Sequence, residues 1–147
     1  MGNDRGPGGS GLIVYIDRSD IREGREEDLK AGIHRLVEVI ESNEPQLISY
    51  GFHFDDEAGR MTVVAVHPDS ASLELHLEIG RTEFRRLADL VTLRQIEVYG
   101  FISDKAIALL EQKATMLGGN GVMVHPRFAG FDHPQAAAKA TPRAAAT

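Results

Sequence analysis

Six of the 147 residues are histidines, at positions 34, 53, 67, 76, 125 and 133, and none is a cysteine. Histidine is the side chain whose ordinary pKa lies nearest neutrality, so these positions are the first candidates for proton transfer. The lack of cysteine removes a thiol nucleophile, a disulfide framework, an iron–sulfur cluster and the usual zinc ribbon together. No two histidines are spaced i, i+4 and no H-E-x-x-H occurs. A metal centre would therefore have to be gathered from distant strands, and the expectation is no metal and no cofactor. Tyr15 and Tyr50 lie in strand-like runs, where a tyrosine either reaches a substrate oxygen or serves as an amphipathic core residue. Gly6–Pro7–Gly8–Gly9–Ser10–Gly11 satisfies G-x-G-x-x-G. It precedes the first strand and opens no helix, so its amides cannot cradle a pyrophosphate.

The elements that must position these residues follow from periodicity. Leu12 to Asp17 is a β-branched and aromatic run, a first strand. Leu29, Ile33, Leu36, Val37 and Ile40 form one stripe of an amphipathic helix that Glu44–Pro45 stops. Leu47 to Phe54 alternates, with Tyr50 on one face and His53 on the other. The polar turn Asp55 to Arg60 and the run Met61 to His67 complete a hairpin. Pro68–Asp69–Ser70 signals a strand exit into a helix N-cap. Leu93 to Gly100 is a fourth strand, Ser103–Asp104 caps a further helix carrying Ile107, Leu110, Ala114 and Leu117, and Val122 to Val124 is a last short strand. On strand four, Glu97 needs a cation if its face is covered, and alternation puts Arg94 on the opposite face.

Leu73 to Ile79 reads two ways. It alternates like a strand, which would expose His76 beside Glu74 and Glu78. Wound at about 100° per residue, it places His76 between two apolar groups, on the buried side. The cap signal upstream and the helical Phe84, Leu87, Ala88 pattern downstream favour the helix.

This order predicts an α+β, ferredoxin-like βαββαβ antiparallel sheet with helices on one face, followed by an α-β extension. One domain is expected over 12–132, with a common core at 12–100 and the extension at 101–132. A disordered Gly-rich arm (1–11) and an Ala-rich tail (133–147) would flank it. The uncovered sheet face makes a homodimer the economical expectation. Sixteen basic against twenty-two acidic residues give a net charge of −6, which disfavours sequence-independent nucleic-acid binding. No run suits a membrane span or a signal peptide, so the expected setting is cytoplasmic, with no membrane partner.

Asn43–Glu44–Pro45 followed by Tyr50, and Asp69–Ser70–Ala71–Ser72–Leu73–Glu74–Leu75–His76–Leu77, resemble two motifs of the antibiotic biosynthesis monooxygenase-like superfamily. The likeness covers Leu12 to Gly100. It implies a dimeric α+β barrel with a pocket between sheet and helices in each subunit. Gln46 stands where that family usually has glycine, and Ala65–Val66–His67 replaces its E-x-W. The segment from Leu117 to His125 looks like that of uncharacterised members carrying the same extension.

The resemblance implies a cofactor-independent monooxygenase acting on a small aromatic or quinol-like substrate. His76, the family-matched histidine, would be its base or orienting group. His67, Tyr50 and Tyr15 would be substrate contacts. Haem degradation as in some relatives would need an asparagine in strand one and a tryptophan in strand three; strand one has no asparagine and the protein no tryptophan. The alternative is a non-catalytic homodimer that binds a small hydrophobic ligand or serves as an interaction module. An apolar cleft closed over His76 would favour the enzyme, and a third helix plugging that cleft would favour the alternative.

Overall fold

The computed structural model describes residues 10–133, so residues 1–9 of the expected arm and 134–147 of the expected tail lie outside the described residues. In chain order the elements are β1 (Ser10–Ile21), α1 (Glu26–Asn43), β2 (Ser49–Asp55), β3 (Arg60–Asp69), α2 (Ser70–Ile79), α3 (Arg81–Leu87), β4 (Val91–Tyr99), α4 (Asp104–Met116) and β5 (Val122–His125). The sheet runs β2-β3-β1-β4-β5. Its first four strands pair antiparallel, which is the expected split-βαβ order, and β5 adds in parallel beside β4.

β1 is longer than its apolar run and continues through Asp17–Arg18–Ser19–Asp20 to Ile21. Ile13, Tyr15, Asp17 and Ser19 alternate onto the helix-covered face, all buried. Ile13 and Tyr15 join Met61, Val63 and Ala65 of β3 and Ile96 and Val98 of β4 in the core. Helix α1 brings Leu29, Ile33, Leu36 and Ile40 onto the same face, and α4 brings Ala106, Leu110 and Ala114.

Alternation breaks once in β4. Ser19 pairs with Leu93 and Arg18 with Gln95, so Arg94 is an extra residue in the ladder. The bulge lets Leu93 and Ile96 both point inward. It also overturns the expected opposite parity of Arg94, which reaches Asp20 at 3.0 Å across the outer side. The cation for Glu97 is Arg18, at 3.2 Å.

Candidate functional site

Three local features converge beneath the sheet. Pro45 ends α1, and Glu44 becomes its C-cap, with its N–H bonded to the Ile40 carbonyl. Asp69 caps α2 by accepting from the Ser72 N–H at 2.9 Å. His67 closes the inward row of β3, Met61, Val63, Ala65, His67. The cap on α2 decides the ambiguous segment: 73–79 is helical, and His76 is buried with Leu73 and Leu77.

The result is a buried polar group. His76 Nδ1 lies 3.1 and 3.2 Å from the two carboxylate oxygens of Glu44. Both side chains are withdrawn from solvent. His67 Nδ1 lies 2.8 Å from the Ser72 hydroxyl, which also accepts from the Gln46 amide at 3.1 Å. The Nε2 atoms of His67 and His76 are buried with no hydrogen-bond partner among the described residues. Around His76 stand the rings of Tyr50, His67 and Phe84, at centroid distances of 5.0, 5.3 and 5.5 Å.

Burial governs the charges here. It raises Glu44 to about 7. It lowers His76 to about 3, helped by the positive charge of Lys113, and lowers His67 to about 3, helped by His76 and Lys113. Both histidines are therefore neutral at pH 7. With Nδ1–H donated to a Glu44 carboxylate, the lone pair of His76 sits on Nε2, pointing into the protein interior.

Tyr15 is not free to meet a ligand. Its hydroxyl bonds to the Asp17 carboxylate and accepts from Lys113 Nζ at 2.8 Å. Lys113 comes from α4, lies 3.6 Å from Asp17, and stands 4.0 Å from the centroid of the Phe84 ring. Desolvation lowers its pKa, and Asp17 opposes that effect. A small recess of about 20 Å³ lies beside this group, lined by Tyr50, Phe84, Lys113, Asp17 and Ser19 among others.

Of the four residues singled out from sequence, His76, His67 and Tyr50 come together, and Tyr15 belongs to the adjoining Lys113–Asp17 group. His53 is exposed on the outer side of β2, as its parity indicated. His125 stacks on Tyr99 at 4.7 Å, and His133 packs edge-on to Phe131 at the same separation. Among the described residues no three histidine or carboxylate side chains gather as a metal site. Sequence reasoning missed Glu44, Ser72 and Lys113 as members of the group. Lys113 left a signal: it is a charged residue on the apolar stripe Ala106, Leu110, Ala114.

No family model matches the chain. Formin-like protein 1 of Homo sapiens is 37% identical over 65 residues, 43% of this chain and 6% of that protein, so the chain spans a small fraction of the curated relative it matches. Solved structures are more informative. MupZ from Pseudomonas fluorescens superposes with a TM-score of 0.64 at 20% identity, covering 84% of this chain and 96% of MupZ. A putative antibiotic biosynthesis monooxygenase from Caulobacter crescentus gives 0.55 at 15% identity, covering 60% and 88%. SnoaB, a cofactor-independent oxygenase from Streptomyces nogalater solved as a point mutant, gives 0.51 at 14% identity, covering 63% and 93%.

Proposed function

We propose that this chain, whose fold is that of antibiotic biosynthesis monooxygenase-like proteins, is a monooxygenase that needs no cofactor and acts on a small phenolic or quinol-like substrate. The observation that carries the reading is the His76–Glu44 pair: Nδ1 held by both carboxylate oxygens, Nε2 buried and without a partner among the described residues. A carboxylate that orients an imidazole leaves the far nitrogen as a positioned base.

The pair suits removal of a phenolic proton. A proton taken at Nε2 is matched by passage of the Nδ1 proton to Glu44, whose carboxyl is raised to about 7. The imidazole then never carries the charge that burial and Lys113 penalise. The resulting electron-rich anion reacts with O₂ directly. For an anthrone, the CH₂ carbon and O₂ give C=O and water; the substrate supplies all four electrons, and one oxygen atom goes to each product. Tyr50 and His67, which flank His76, would orient the ring, in a protein that works as a homodimer.

A second reading has its own observation. Lys113 of α4 reaches under the sheet, and the adjoining recess of about 20 Å³ holds no more than a water molecule. A filled interior favours a non-catalytic homodimer that holds a small hydrophobic ligand elsewhere. Oxygen uptake by the metal-stripped protein against anthrones, naphthols and hydroquinones separates the two. We expect uptake to fall about 100-fold or more in folded His76→Ala, and the wild-type rate to decline as pH drops through about 7. Uptake that is absent, or indifferent to His76, would leave the binding reading.

A further inference from the structure

We propose that the cleft between α3 and α4 is a binding site for a small planar aromatic molecule bearing one negative charge. This deepens the monooxygenase reading and rests on it, because it names where the substrate is first held and in what charge state.

The cleft has a volume of about 580 Å³, within the range of small-ligand sites. Leu109, Met116 and Phe84 give it apolar surface, Arg81 and Arg85 are exposed charges along it, and Lys113 forms part of its inner wall. Its other charged lining residue is Glu111, and Lys113 is already answered by Asp17, so the two exposed arginines outnumber the acid two to one in a molecule whose net charge is −6. Such a local reversal of sign attracts an anion that the rest of the surface repels. Arginine also suits the chemistry proposed: its planar fork meets a carboxylate on two oxygens and stacks on aromatic faces. Arg81 is already steadied by a bond to the Gln112 side chain at 3.3 Å.

The cleft also shares two lining residues with a smaller space that reaches inward. Phe84 and Lys113 line both this cleft and the small recess that Tyr50 borders. Phe84 in turn lies 5.5 Å from His76, ring to ring. Phe84 thus stands between the cleft and the buried base.

Titration of the full chain with 2-naphthoate and with its neutral counterpart 2-naphthamide, followed by backbone amide shifts, tests the site. Naphthoate is expected to move amides of α3 and α4. The double variant Arg81→Ala/Arg85→Ala, both positions exposed, should weaken naphthoate about tenfold or more while changing naphthamide about twofold at most. Equal affinity for the two compounds overturns the proposal. So do shifts confined to another surface, no binding at millimolar concentration, or an unaltered naphthoate affinity in the folded double variant. Oxygen uptake on the same variants keeps the two readings apart. Uptake with an unchanged KM in the double variant removes the cleft and spares His76; naphthoate seated in the cleft without uptake of oxygen for any substrate does the reverse.

Discussion

At His67 and His76 the fold favours neutral imidazole, and at Glu44 it favours the protonated carboxyl, so the three groups pull stability in opposite directions with pH. Each histidine titrates near 6.5 when unfolded and about 3 when folded. Its contribution is complete above 6.5 and is lost as pH falls towards 3. Glu44 moves from 4.5 to about 7, so its contribution is complete below 4.5 and is lost as pH rises through 7. Each group contributes a slope of about 1.4 kcal/mol per pH unit inside its window. Acidification from 6.5 to 4.5 therefore costs about 1.4 kcal/mol per unit net, two histidines against one carboxyl. Below 4.5 the cost rises to about 2.7 kcal/mol per unit. Urea midpoints measured from about pH 7.5 to about pH 3.5 should show the bend near 4.5, and His67→Phe should halve the steeper limb. A midpoint flat over that range would mean that the two rings are hydrated.

Among the elements, Gly80 lets α2 hand over to α3 with Phe84 folded back against the junction. A Cβ at Gly80 would lie 2.4 Å from the Phe84 ring tip, although the backbone angle there, φ −81°, suits any residue. Gly80→Ala should thus cost about 1–3 kcal/mol by displacing the ring rather than by straining the chain. Thermal unfolding measures that cost, and a drop in oxygen uptake without a change at His76 would report the displaced ring. The same junction shows what was legible in advance. Asp69 as a cap and the Phe84, Leu87 spacing were enough to choose helix over strand and so to bury His76. The partner of His76 was not legible, because Glu44 sits 32 positions away and reads locally as a helix stop. The polar end of β1 was hidden for a similar reason. Asp17 and Ser19 look unlike strand core, and the Lys113 that makes Asp17 tolerable lies in the last helix. The bulge at Arg94 had no signal in single-strand alternation, since it is a property of the pairing with β1.

At the scale of the molecule, the sheet face away from the helices carries Val14, Ile16, Val64 and Val66, each only partly buried within one chain. Four β-branched residues on adjacent strands are the surface that a second copy would cover. We expect a dimer in sedimentation equilibrium at micromolar concentration, and a folded monomer for Val66→Arg, because an arginine at the centre of such an interface is stranded without a partner. A wild-type monomer at that concentration would remove the dimer from the functional reading. The parallel strand β5 meanwhile covers the β4 edge, so β2 and β5 are the two edge strands of the described sheet.

Lys113 and Asp17 tie the last third of the chain to the first strand. Lys113→Ala would leave the Asp17 carboxylate buried with no cation, and Asp17→Ala would leave the Lys113 ammonium buried with no counter-charge. Either orphan costs about 3–5 kcal/mol, a large part of what holds an ordinary domain together. What reads as an appendage in the sequence is thus fastened to the first strand by a buried ion pair, and the two ends of the domain stand or fall together.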